Sequence, residues 1–280
     1  MKDSLNKESV ISNKKAAIQK LNKLLERYIN DPSGSHLKKA NLISYWLKDY
    51  VRYLDFEEKF NPKRNIAYKR GNIVKVNFGF NLGAEYGGLH YGIVLDNKND
   101  HSSSVVTVIP LTSAKENQKV HKNSVSIGNE IYRLLKIKYD TILKQLKAEE
   151  EEIYITKEAI LALLEISRTK LDESKRLDYG DARWKKLLEV KAHMNHTDDL
   201  EATWREKEKH NQEAQQYLEK IGEEIKGMKK GSIALVNQIT TVSKMRIVDP
   251  KTSHGVLSGL SLSAENMDKI NEKIKELFVF

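Results

Sequence analysis

Two β-patterned blocks stand apart in this chain, separated by about 100 residues of helical pattern. The first block holds "GNIVKVNFGF", "YGIVLD" and "SVVTVIPLT", β-branched runs bounded by turn residues. The second is "GSIALVNQITTVSKMRIV", from Gly231 to Val248. Between them come "NEIYRLLKIKYDTILKQLKAEEEE", "TKEAILALLEISRTKLDESKRL", "ARWKKLLEV" and "EATWREKEKHNQEAQQYLEKIGEEIKGM". These segments are highly charged with narrow apolar stripes, the pattern of two to four long helices packed as a hairpin or coiled coil. A β domain split this way reassembles easily if the insertion is an antiparallel hairpin that returns the chain near its starting point.

Helical spacing also marks the two ends. Ile18, Leu21, Leu24, Leu25 and Tyr28 recur on one face until "NDPSGS", and Leu42, Trp46, Tyr50 and Tyr53 share a stripe until "NPKR". A helical hairpin over residues 15–60 is expected, with the polar segment from Met1 to Lys15 frayed. Near the C-terminus, Ser263 is placed to cap a helix whose apolar face is Met267, Ile270, Ile274 and Leu277. The expected organisation is α+β: an N-terminal helical extension over 1–65, a β domain from 66–128 and 228–280, and a helical insertion over 129–227.

Charge and composition narrow the partners. The formal net charge of +9 favours polyanions such as nucleic acid, although lysine-rich chains without a nucleic-acid role share this balance. With no cysteine, disulfides and thiolate zinc sites are excluded. The run "HMNHTDD" has His193 and His196 three apart but no fourth ligand in a defined pattern, so no metal or cofactor is expected. The opening "MKDSLNKESVISNKK" has no apolar core of the signal type, and no apolar run approaches the ~20 residues that span a bilayer. A cytoplasmic protein without membrane contact is expected.

Chemistry concentrates in "GAEYGGLHYGIVLD", Gly83 to Asp96. Glu85 and His90 flank Gly87 and Gly88 at the mouth of a strand, and Thr112 and Ser113 end the next one. A histidine, a carboxylate and hydroxyls form an acid–base set suited to phosphoryl transfer within RNA, where the substrate's own 2′-OH attacks. The alternative is a hydrogen-bonded strand histidine beside a solvated glutamate.

The segment "RGNIVKVNFGFNLGAEYGGLHYGIVLDNKND", Arg70 to Asp100, resembles the opening of the PemK/MazF toxin family. "VTVIPLTS", Val106 to Ser113, is similar to the family's next strand, and "SIALVNQITTVSKMRI", Ser232 to Ile247, to its late strand pair. The resemblance implies an SH3-like (MazF/CcdB-type) β-barrel and a homodimer. It implies metal-independent endoribonuclease activity on single-stranded RNA, leaving 2′,3′-cyclic phosphate and 5′-hydroxyl ends, and a cognate antitoxin that occupies the RNA groove.

By position, the family's catalytic basic residue falls on His90, where many members carry arginine, and its catalytic hydroxyl on Thr112. Imidazole titrates near neutrality, so His90 is expected as general acid or phosphate stabiliser, with Glu85 as candidate base. Ser113 would hydrogen-bond phosphate alongside Thr112. Asn77, Phe80, Asn81, Gly87, Gly88 and Gln238 fall where RNA contacts are expected, and Arg70 and Lys244 are candidate phosphate contacts. Phe80 is equally read as a base-stacking ring or a loop anchor. From another class, the same barrel type serves toxins that poison DNA gyrase by protein contact, and a binding module acting through its helices is a third possibility.

Overall fold

The computed structural model describes residues 6–115 and 119–279. They form an α+β protein with antiparallel strands and long helices. Two compact units divide them: one runs to Leu111 and takes up Leu235–Lys251, the other holds Thr112–Ala234 and the chain from Thr252 onward.

In the first unit, helices α1 (Lys7–Ile29) and α2 (Leu37–Glu57) make the N-terminal hairpin. Helix α1 begins well before the end of the segment expected to fray, because the Asn6 side chain accepts the Ser9 N–H at 2.7 Å and supplies the cap. Residues 1–5 of that segment lie outside the described residues. Strands β1 (Ile73–Asn77), β2 (Leu89–Val94) and β3 (Val105–Ser113) follow. β1 pairs antiparallel with β2, Ile73 opposite Ile93, and β2 with β3, Gly92 opposite Pro110.

The late strands are numbered after two strands of the second unit, β4 (Val125–Gly128) and β5 (Ser232–Ala234). β6 (Thr240–Ser243) lies on β3 and β7 (Ile247–Asp249) on β1, both antiparallel. The Lys244–Arg246 turn therefore carries the chain from a strand on β3 to one on β1. Hydrogen bonding does not follow it: among the described residues the strand order is open, and the ring of the expected barrel is not closed. The physical reason is that β6 pairs with β3 and β7 with β1, and no ladder among the described residues joins β6 to β7.

Alternation builds the core of this unit. Val74, Val76, Phe78, Val94, Val106, Val108, Val242 and Ile247 pack with Tyr68, whose hydroxyl donates to the Pro250 carbonyl at 2.8 Å. Burial pushes the Tyr68 phenol well above its ordinary pKa, so the hydroxyl stays a donor.

The second unit is dominated by α3 (Glu130–Lys175) and α4 (Asp181–Gly227). Buried Leu146, Ile160, Ser167 and Ser174 on α3, and Val190, Thr197, Asn211 and Leu218 on α4, are spaced by sevens or multiples of seven. That period keeps one seam of each helix facing its partner. Lys170–Glu189 and Lys207–Glu152 pairs, both at 2.8 Å, flank the seam. β4 and β5 pair, and α5 (Ala264–Phe278) packs on β4. Ser263 caps α5 as expected, accepting the Asn266 N–H, and buried Glu130 accepts the Ser263 N–H at 2.6 Å. No helix among the described residues is long and apolar enough to cross a membrane.

Candidate active-site cleft

The loop between β1 and β2 needs its glycines for packing. Phe78 N–H donates to the Gly88 carbonyl at 2.8 Å, and Gly88 N–H to the Gly79 carbonyl at 2.7 Å. A Cβ on Gly87 would meet that Gly79 oxygen at 2.7 Å. Gly79 has φ +80°, and a Cβ there would meet the Trp46 ring at 2.7 Å. Only glycine permits both approaches.

Side chains then fix the loop from below. Asn81 Nδ2 donates to the carbonyls of Phe78 and Tyr86 at 3.2 and 2.8 Å. Gln238 Oε1 accepts the Tyr86 N–H, and its Nε2 donates to Ala84 O, both at 3.3 Å. The Tyr86 hydroxyl donates to Leu111 O at 2.6 Å, and its ring lies against Phe78 and His90.

Above the loop opens a cleft of about 830 Å³. Its floor carries Asn77, Phe80, Asn81, Glu85, Gly87, Gly88 and His90, and its other wall is the face of α2 that includes Tyr45, Trp46 and Asp49. Seven of the twelve candidate residues thus line one cavity. His90 is half-buried at the start of β2. Burial lowers its pKa below the ordinary 6.5, opposed by a hydrogen bond with the Gly87 backbone that favours the charged ring. The direction favours the neutral ring, the form that can accept a proton. Glu85 is exposed, and its carboxylate accepts the Leu82 N–H at 3.3 Å within its own loop.

The other candidates lie elsewhere. Gln238 is half-buried and holds the loop by both amide groups. Arg70 is half-buried and donates to the Leu95 carbonyl. Lys244 is 0 % exposed; its ammonium donates to Asp100 O at 2.7 Å, and burial lowers its pKa. A side chain with no exposed surface does not reach a phosphate, so the phosphate-contact expectation for Lys244 is corrected to a structural role. Thr112 and Ser113, at the end of β3, belong to the second unit, the first half-buried and the second exposed. Among the described residues no three His, Cys, Asp or Glu side chains gather as a metal cage.

Sequence reasoning missed two contributors. Arg246 lies in the quoted late-strand pattern; its Nε donates to Asn77 O at 2.8 Å and its guanidinium sits 5.2 Å from the Trp46 ring centroid. Burial lowers its pKa, with Tyr53 opposing. The second is α2 itself. Its Leu42–Trp46 stripe was legible as a packing face, but nothing in one sequence tells which surface a helix covers.

Residues 69–151 match the family model described as PemK-like, MazF-like toxin of type II toxin-antitoxin system. Over those residues the chain is similar to the PemK/MazF toxin family. The match covers less than half of the chain and ends inside α3; α1 and α2 lie before it. No curated protein matches the chain.

Proposed function

We propose that this protein is the toxin of a type II pair and that it cleaves single-stranded RNA in the cleft between α2 and the β1–β2 loop. The observation that carries the proposal is the convergence of His90, Glu85, Asn77, Phe80, Asn81 and the Gly87–Gly88 pair on one cavity. Nothing in the sequence spacing alone required residues on two strands and a loop to line one space.

Neutral His90 takes the proton of the ribose 2′-OH. The 2′-oxygen attacks the adjacent phosphorus, the bond to the 5′-oxygen breaks, and the 5′-oxygen leaves with a proton from solvent. The products are a 2′,3′-cyclic phosphate and a 5′-hydroxyl. The glycines leave that part of the cleft floor without side chains, so substrate can approach the backbone closely. Phe80 offers a half-buried ring for base stacking. Thr112 remains the family's hydroxyl by position, and Arg70 and Ser113 remain candidate phosphate contacts. In the same proposal the Lys244–Arg246 crossing stands for the corner of an SH3-like barrel, 129–227 for an insertion, and a homodimer and an antitoxin for the partners.

The test is digestion of a long single-stranded RNA in excess EDTA, followed by chemical mapping of both new ends. Cyclic phosphate and 5′-hydroxyl ends are expected. RNA left intact across many sequences overturns the nuclease and moves attention to a protein target of the helices.

A further inference from the structure

Helix α2 stands outside the family-matched residues, yet it forms one wall of the cleft. Its C-terminal half is locked there. Trp46 fills the space that the absence of a Gly79 side chain leaves, and Arg246 packs over its ring. Asp49 Oδ2 accepts the Asn77 amide at 2.9 Å. Asn77 in turn closes the loop by accepting the Gly79 N–H at 3.0 Å. The wall is thus tied to the same backbone that presents the glycines.

The N-terminal half of the same face is built differently. Lys38, Lys39, Leu42 and Tyr45 line the cleft; Leu42 follows the two adjacent lysines by four and three residues and precedes Tyr45 by three, so they share one side of the helix. Tyr45 is 58 % exposed and Leu42 48 %, although both face a cavity. Lys48 covers one face of the Tyr45 ring at 4.2 Å. Lys39 lies 5.5 Å from the Tyr28 ring centroid and is still exposed. A pure packing face would bury these apolar groups, as the same helix does with Ala40 and Ile43.

An exposed aromatic ring and two lysines lining one cleft with Phe80 and His90 have the chemistry of a single-stranded nucleic-acid groove. Cations track the phosphates, and the rings stack with bases whatever their identity. A protein segment is a weaker fit, because the wall offers no exposed backbone edge and its cations ask for an evenly anionic strand.

We propose that α2 is a substrate-binding wall, in which Lys38 and Lys39 take phosphates and Tyr45 takes a base of a single-stranded RNA bound next to the cleaved position. The ligand class rests on the nuclease proposed above. What is new is that the N-terminal extension, and not only the family segment, sets how tightly RNA is held. Tyr45 and Phe80 line the same cleft, which gives the RNA two rings on which to stack.

The experiment uses the full chain and a fluorescent 2′-O-methyl single-stranded RNA, which binds but has no free 2′-OH to cleave. Anisotropy titrations across salt are run for wild type, Tyr45→Ala, Tyr45→Phe and the double change Lys38→Ala with Lys39→Ala. Tyr45→Ala is expected to weaken binding about ten-fold, with Tyr45→Phe near wild type. The double lysine change is expected to flatten the log–log salt slope by about 1.4, two phosphates at about 0.7 each. On a cleavable RNA, Tyr45→Ala raises KM and leaves kcat.

Unchanged affinity and unchanged salt slope in all variants overturn the proposal. So does a wild-type chain that fails to bind the oligonucleotide at low salt. If wild type binds it, loses it on Tyr45→Ala, and cleaves no RNA, the nuclease falls and the α2 wall stands. If the variants leave RNA binding intact but abolish capture of an antitoxin peptide, the wall belongs to a protein partner and the proposal is overturned.

Discussion

Tyr86 ties His90 to the third strand: the two ring centroids lie 4.6 Å apart, tilted by 45°, while the Tyr86 hydroxyl donates to Leu111 O at 2.6 Å. The imidazole is therefore positioned by a residue that is itself fixed at both ends, by Gln238 at its backbone and by Leu111 at its hydroxyl. Leu111 is the residue before Thr112, so the same contact holds the strand that carries the candidate hydroxyl.

Removing that hydroxyl separates positioning from packing. Tyr86→Phe keeps the ring beside His90 and leaves the Leu111 carbonyl without its donor. Stability is expected to fall by about 1 kcal/mol, read by denaturant unfolding. RNA cleavage is expected to slow several-fold through kcat. An unchanged kcat would mean that the ring contact alone positions His90.

Two glycines of one loop should respond very differently to alanine. Gly79 has positive φ and the Trp46 ring in the way, whereas Gly83 has positive φ and open space around it. Gly79→Ala is expected to cost about 2 to 4 kcal/mol, and Gly83→Ala about 1 kcal/mol. Thermal or denaturant midpoints check both, and equal losses would show that the α2 contact contributes nothing at Gly79.

The His90 shift has a direction that fixes its pH behaviour. Its folded pKa lies below the unfolded 6.5, so the fold favours the neutral ring. The contribution is intact above pH 6.5, drains as pH falls through 6.5, and is fully lost below the folded value. Acidification from pH 7.5 to 5 should therefore destabilise wild type more than His90→Gln. As a base, His90 gives kcat/KM an acid limb with an apparent pKa below 6.5 and a plateau through neutrality. A rate that instead falls as pH rises through that limb would restore the acid role.

Lys244 tests the difference between a buried cation and a phosphate contact. Lys244→Ala leaves the Asp100 carbonyl without its donor and opens a cavity, so stability is expected to fall by about 2 to 4 kcal/mol. The salt slope of RNA binding by the folded protein should not change. A slope flatter by about 0.7 would mean that the ammonium reaches RNA after all.

Much of this arrangement was legible in the residues. Period and turn chemistry placed β1 to β3, the late β run, the N-terminal hairpin, the capped last helix and the long helices, because each is local; the short β4 went unread. The glycine loop and His90 stood out by composition, but the residues alone left a hydrogen-bonded strand histidine open, and the family resemblance weighted the functional reading. Lys244 was misread because a lysine in an alternating strand pattern is usually solvated, and only the packing of Tyr68 and the Asp100 loop around it reveals otherwise. The second wall of the cleft was not legible. Docking of α2 depends on a void at Gly79 and a cation from Arg246, residues far apart in sequence that meet only in the fold.

The most direct measurement is the rate of RNA cleavage in excess EDTA by wild type and by His90→Ala, with matched unfolding midpoints to show that both are folded. Cleavage by wild type that drops by at least 100-fold in His90→Ala is the predicted result, in line with the loss of a general base. Equal cleavage by both proteins, or none by wild type, would contradict the assignment of this cleft as an RNA-cleaving site.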